Sequence, residues 1–351
     1  MMKTISPFSL TYTPNIPEIL LDLNFTLALS TYQAGKVVFI SAIDRDKLIQ
    51  LPRTFDNAMG LATSENKLAV ACKKHVIELK NFPALAHKYP GKEDTYDAMF
   101  VPSCKYFTGS LDLHDMNFLD GKLLAINTLF SCISEVNSDY SFHPVWNPDF
   151  ISELSPEDRC HLNGMAIKDE RIEYVTALGA TNEHHGWRKN KMQGGVILHV
   201  PSGEVVLSGL SMPHSPRIYN NKLYFLNSAQ GELRIADTVS GTSDIIAKLG
   251  GFTRGMARMG DYLFIGISKL RHTTKDFSDL PISKSSFAGI VVVYLPLGKP
   301  VGEIRYESSV DEVYDVKILP GLKRPGILNE ERIDKIIPVT TPNDTYWSVS
   351  D

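Results

Sequence analysis

The chain has 351 residues, 43% hydrophobic and 22% charged, the profile of a globular protein long enough to bury a core without disulfide or metal staples. A net charge of −4 speaks against a polyanion-binding protein, so no nucleic acid partner is expected. No apolar run approaches the roughly 18 residues of a membrane span. Met1-Met2-Lys3-Thr4 leads to Pro7 and Pro14 rather than to an apolar signal core, and four scattered cysteines form no CxxC. A cytoplasmic protein without a membrane partner is the expectation.

In chain order, the first β-prone run is KVVFI, Lys36 to Ile40. A pattern then recurs: a small or polar anchor, a turn-forming pair just before position seven, and a second β-prone run. It starts at Gly60, Asp115, Gly164, Ser215 and Gly255, with turn pairs Glu65-Asn66, Asp120-Gly121, Asp169-Glu170, Asn220-Asn221 and Gly260-Asp261. Such pairs mark hairpins between apolar strands. The third copy is followed by an insertion, Thr181 to Lys191, that carries Glu183, His184, His185, Trp187 and Arg188. After the apolar run at Ile290, a sixth copy from Asp315 keeps only its first strand.

Anchors 40 to 60 residues apart match the period of propeller blades, each a four-stranded sheet with its loops. The fold expected is all-β: a six-bladed β-propeller, with a β-sandwich as the alternative. VVFIS, LLAIN and IVVVY read as inner strands, and KVVFI is expected to close the ring against strands after Ile290. The division expected is an N-terminal segment 1–29, one propeller domain 30–320, and a tail 321–351 packed on the propeller, where ERIDKI can form a short helix. No long 3.6-residue stripe is present, so helix should be scarce.

The residue before each anchor should lie at one mouth of the central channel. These are Met59, His114, Asn163, His214, Arg254 and Tyr314, and all but Met59 are polar. Convergent polar groups on a concave mouth make a candidate site. His114, His214 and Tyr314 are the candidate catalytic groups, because neutral imidazoles move protons near pH 7 and a phenol can donate one. Arg254 suits a carboxylate or phosphate, and Asn57 and Asn163 lie near it. Glu183, His184, His185, Trp187 and Arg188 complete the expected substrate-binding set, as a loop folding over the mouth. Two imidazoles with an asparagine between them equally suit a divalent metal, with His114, His161 and His214 as candidate ligands. Asp115, Asp315 and Glu312 lie close by in the pattern. Residues twelve past the anchors, among them Asn127 and Asn227, read as strand-end turn chemistry.

Several long blocks carry a resemblance: STYQAGKVVFI from Ser30, FTGSLDLHDMNF from Phe107, SPEDRCHLNGMA from Ser155, YVTALGATNEHHGWRKNKMQGGVI from Tyr174, GLSMPHSPR from Gly209 and GFTRGMA from Gly251. They resemble a bacterial family of conserved hypothetical proteins with a domain of unknown function, sometimes fused to tetratricopeptide repeats. The resemblance runs from about Ser30 to about Gly321 and implies no established activity. More loosely, the repeat is similar to six-bladed propellers of the strictosidine synthase, gluconolactonase and paraoxonase type. Those bind substrates at the channel mouth, often with calcium held by Glu and Asn. The His-rich set here does not carry calcium over.

The functional expectation is an enzyme acting on a small polar or anionic metabolite, by imidazole acid–base or metal-assisted chemistry. It would be a lyase, isomerase, cyclase or hydrolase without a nucleotide cofactor, since no phosphate loop is present. The alternative is a non-catalytic platform for a ligand or a protein. A homo-oligomer is compatible with either.

Overall fold

The computed structural model describes residues 6–269, 280–282 and 287–349; the outermost residues of the expected N-terminal segment and tail lie outside them. Six antiparallel meanders form a six-bladed β-propeller. Blade II begins innermost at Leu61–Thr63, blade III at Leu113–Leu119, blade IV at Leu162–Lys168, blade V at Pro213–Tyr219 and blade VI at Phe252–Met259. Blade I takes its innermost strand, Asp315–Pro320, from late in the chain, and its outer three, Phe25–Thr31, Lys36–Ala42 and Leu48–Thr54, from early in it. The innermost strands touch in succession from II through VI to I and back to II, which closes the ring.

The turns explain why the strands fall where they do. Registers Leu119↔Lys122, Lys168↔Arg171 and Tyr219↔Lys222 leave two residues in each hairpin. Those residues all have positive φ: Asp120 47° and Gly121 76°, Asp169 48° and Glu170 57°, Asn220 51° and Asn221 58°. This backbone matches the right-handed twist of the flanking strands. Three blades open on hairpins of this kind; blades II and VI open on the turns Glu65-Asn66 and Gly260-Asp261, of which Gly260 alone has positive φ, and in all five two more strands follow.

Two expectations change in detail. KVVFI is third from the axis in blade I and pairs with Phe25–Thr31 and Leu48–Thr54. The strand that completes the ring is Phe25–Thr31, with Ser30 opposite Asp315. The strand after Ile290 belongs to the third position of blade VI. The reason is topological: each blade runs from axis to rim, so the chain leaves blade VI at the rim and must return to the axis. VVFIS, LLAIN and IVVVY are likewise second or third strands rather than innermost ones. Middle strands are covered by neighbouring blades on both faces and so are the most apolar.

The ends reinforce the rim. Leu10–Tyr12 extends blade VI, and Pro325–Ile327 adds a parallel strand to blade II. The first three residues of ERIDKI fall in the short helix Glu330–Ile333. The hairpin Ile336–Thr340 with Thr345–Val349 follows, and Trp347 Nε1 donates to the Leu85 carbonyl at 3.0 Å. Among the described residues, no helix is long and apolar enough to cross a membrane.

Candidate active site

The anchors alternate around the axis: Gly60, Asp115, Gly164, Ser215, Gly255, Asp315. Each polar anchor accepts a backbone N–H from the next blade. Asp115 takes Met165 N at 3.1 Å, Ser215 takes Gly255 N at 2.9 Å and Asp315 takes Leu61 N at 2.9 Å. At the glycine anchors the next backbone comes too close for a side chain. A Cβ on Gly60 would lie 2.9 Å from the His114 carbonyl oxygen, and one on Gly255, at φ +75°, 2.6 Å from Val316 N. Blades are thus joined by two alternating devices, a side-chain acceptor and a backbone contact.

The residues just before the polar anchors are His114, His214 and Tyr314, one from every second blade. The two imidazoles are held identically. His114 Nδ1 lies 2.9 Å from the Asp112 carbonyl oxygen and 2.8 Å from Thr128 Oγ1. His214 Nδ1 lies 2.9 Å from the Met212 carbonyl oxygen and 2.9 Å from Ser228 Oγ. A carbonyl can only accept. Each hydroxyl already donates its hydrogen to the next blade, Thr128 to the Leu162 carbonyl and Ser228 to the Thr253 carbonyl, both at 2.6 Å. Both partners therefore accept, which fixes Nδ1–H and leaves Nε2 as the basic nitrogen. Blade I places Ser30 in the same role: its hydroxyl donates to the Met59 carbonyl and accepts Asp315 N at 3.1 Å.

Arg254 joins these groups. Its Nη2 is 3.4 Å from His214 Nε2 and its Nη1 is 3.3 Å from Glu312 Oε1. Its guanidinium carbon lies 4.2 Å from the centre of the Tyr314 ring, a cation–π contact. Tyr314 in turn is 5.4 Å from the His114 ring, which meets the His161 ring edge-on at 4.8 Å. Burial, then His161 and Arg254, push His114 well below the ordinary 6.5; burial and Arg254 do the same to His214. Both rings are neutral near pH 7. Burial pushes the Tyr314 phenol up, so it keeps its proton.

Next along the same strands lies a charge cluster across the axis. Arg217 reaches Asp115 with Nη1–Oδ2 at 2.8 Å and Nη2–Oδ1 at 3.3 Å, and lies 4.0 Å from Asp315. Lys317 Nζ stands 3.4 Å from Asp115 and 3.5 Å from Asp315. Two carboxylates and two cations cancel, as buried charges must. Burial pushes Asp115 up, but Arg217 and Lys317 outweigh it and hold its carboxyl below the usual range.

The insertion contributes unequally. Trp187 is buried and donates Nε1–H to Asp158 Oδ2 at 2.9 Å, with its ring 4.5 Å from His161. His185 turns the same way, its Nδ1 3.3 Å from Asp158 Oδ2 but out of hydrogen-bonding alignment. Glu183 is exposed and bound to Lys189, His184 is exposed against the His185 ring, and Arg188 is exposed with its guanidinium 5.1 Å from the Trp187 ring centre. Asn163 lies apart in function: it donates to the Pro213 carbonyl at 3.0 Å and accepts from Thr176 Oγ1 at 2.6 Å, pinning blade IV to blade V. Asn57 binds the Tyr32 carbonyl at 3.3 Å, behind the Tyr32–Tyr314 ring pair.

Metal binding finds little support in this arrangement. Among the described residues, no three His, Cys, Asp or Glu side chains are placed to hold one ion. A guanidinium already faces the Nε2 of His214, where a cation would have to sit.

Sequence reasoning missed Asp112, Asp158, Arg217 and Lys317. Arg217 and Lys317 each stand two residues past a polar anchor, a spacing that puts strand residues on one face, so that signal was present. Asp158 lies in an irregular segment without such a rule.

The family comparison decides the membership. A family model described as Domain of unknown function (DUF4915) matches residues 14–328. The chain belongs to the DUF4915 family. No curated protein matches this DUF4915 chain. It is similar in fold to a chain in the crystal structure of a nidogen/laminin complex, with a TM-score of 0.55, 9% identity, and coverage of 85% of this chain and 99% of the other. It is also similar to a protein of unknown function from Bacteroides caccae, with a TM-score of 0.51, 10% identity, and coverage of 84% and 99%. At such identities the likeness concerns the fold alone.

Proposed function

We propose that this DUF4915 protein is an enzyme that acts on a small polar or anionic molecule at the channel mouth, by proton transfer through imidazole. The observation that carries this reading is the matched pair His114 and His214. Both are neutral, both are locked as Nδ1–H and both keep Nε2 free of any ring proton, that of His214 facing the Arg254 guanidinium at 3.4 Å. Neutral imidazoles of fixed orientation are suited to general-base work near pH 7. Arg254 supplies the charge that would hold a carboxylate or phosphate, and protonated Tyr314 supplies a donor. Elimination, isomerisation, cyclisation and hydrolysis all use such parts without a nucleotide. Four free cysteines, three of them buried, support a reducing cytoplasmic setting.

A thermal-shift screen of organic acids and phosphate esters tests the reading. A ligand should stabilise the wild-type protein and lose its effect in Arg254→Met. Its turnover, followed by NMR, should disappear in His114→Ala and His214→Ala. Undiminished turnover in both histidine variants overturns the assignment. Stabilisation by a protein partner alone favours the platform.

A further inference from the structure

His161 belongs to the same group of rings as His114 but is held in a different way. Its Nδ1 lies 3.0 Å from both carboxylate oxygens of Asp158, and its side chain is 15% exposed against 10% for Asp158. Asp158 Oδ2 also takes Trp187 Nε1–H at 2.9 Å. The three residues around this carboxylate hold a left-handed backbone that side chains rarely adopt: Asp158 φ 46°, His161 φ 52° and His185 φ 49°. Such conformations persist only where surrounding contacts impose them, and they concentrate at functional sites. The contacts here are backbone ones as well: His185 N donates to the Glu157 carbonyl at 3.1 Å, and Leu178 N to the Cys160 carbonyl at 3.0 Å.

The charge environment separates the three imidazoles. A proton on His214 Nε2 would face the guanidinium of Arg254 directly. A proton on His114 would face Arg254 and His161, with only a neutral carbonyl and a hydroxyl behind the ring. A proton on His161 would be balanced by the carboxylate of Asp158. This is the arrangement by which a carboxylate fixes an imidazole tautomer and stabilises the imidazolium formed in a proton transfer.

We propose that Asp158 and His161 form a carboxylate–imidazole dyad serving the mouth, with His161 as its third proton-transfer group and Asp158 as the positioning residue. In the step itself, the bound molecule's C–H or O–H bond breaks, its electron pair stays on that molecule, and His161 Nε2 takes the proton. Nδ1–H remains on Asp158 throughout, and the ring returns to neutral by passing the Nε2 proton on. Because Trp187 is bound to the same carboxylate, the 181–190 segment is registered to the dyad. The role toward substrate rests on the acid–base reading above; the dyad does not.

The test needs no substrate, so its failure is distinguishable from failure of the roles given to His114 and His214. Two-bond 1H–15N correlation on the full chain labelled at histidine, with His161 assigned through His161→Gln, reads the tautomer. The expected result is Nδ1–H in the wild type, unchanged in Trp187→Phe and lost in Asp158→Ala. Diethyl pyrocarbonate modification of His161, followed by mass spectrometry, should slow severalfold in Asp158→Asn, because the carboxylate no longer holds Nδ1–H and so no longer keeps Nε2 the unprotonated, nucleophilic nitrogen. Finding Nε2–H on His161 in the wild type, or an unchanged modification rate in Asp158→Asn, overturns the proposal.

Discussion

Replacing Arg217 by Met should destabilise the whole ring, because Arg217 is where blades III, V and I meet. The substitution keeps much of the apolar stem and removes the guanidinium. Lost with it are two hydrogen bonds to Asp115 at 2.8 and 3.3 Å and one to the Met165 carbonyl at 2.9 Å. Two buried carboxylates then face one ammonium, that of Lys317. Breaking a buried pair from one side costs about 3–5 kcal/mol, since the partner charge is left without compensation. With a urea m-value of about 3 kcal/mol/M, the midpoint should fall by about 1–2 M. Adding Asp115→Asn removes the orphaned charge, so the double variant should lose less than the two single losses combined, by about 0.5–3 kcal/mol. A single variant within 1 kcal/mol of wild type, or strict additivity in the double, would refute the view that this cluster clamps the axis.

Other outcomes follow from the site. His114 and His214 have folded pKa values below the ordinary 6.5, so the unfolded chain binds more protons and stability falls as pH drops below 6.5. The contribution is fully present above that pH, and equilibrium unfolding of His214→Gln should show a weaker decline between pH 6.5 and 5. Ser228→Ala should free the Nδ1–H of His214 from one of its two acceptors while the Met212 carbonyl keeps the tautomer; NMR showing Nε2–H in that variant would contradict the hydrogen-bond assignment. Gly255→Ala should cost at least about 1–3 kcal/mol, because the left-handed backbone and the Cβ contact with blade I both resist it; thermal unfolding reads this directly.

The repeating parts of the fold were readable because they obey local rules. Asn220-Asn221 and Asp169-Glu170 announce hairpins through backbone preferences that act within four residues. His114, His214, Arg254 and Tyr314 could be gathered at one mouth because equal offsets in equivalent strands become equal heights on the ring. What depends on distant partners was not readable. Nothing local to Phe25–Thr31 distinguishes it from Lys36–Ala42 as the mate of Asp315–Pro320. Asn163 looks like its neighbours in sequence, yet Pro213 and Thr176 take up its amide. Glu183, His184 and Arg188 have the chemistry of a binding loop but face outward, while His185 and Trp187 from the same segment turn in; the left-handed turn at His185 makes that division. Asp158 became visible only when an irregular loop had been traced in three dimensions.

Blade I has a consequence for how the protein is made. Its outer strands are translated some 260 residues before its innermost strand and then wait, one edge unpaired, until that strand follows. An unpaired edge is sticky, so the early segment depends on protection during that interval. Tyr314, which belongs to the late strand, cannot meet His114 before the circle shuts, and a nascent chain therefore carries no assembled chemistry until translation has passed it.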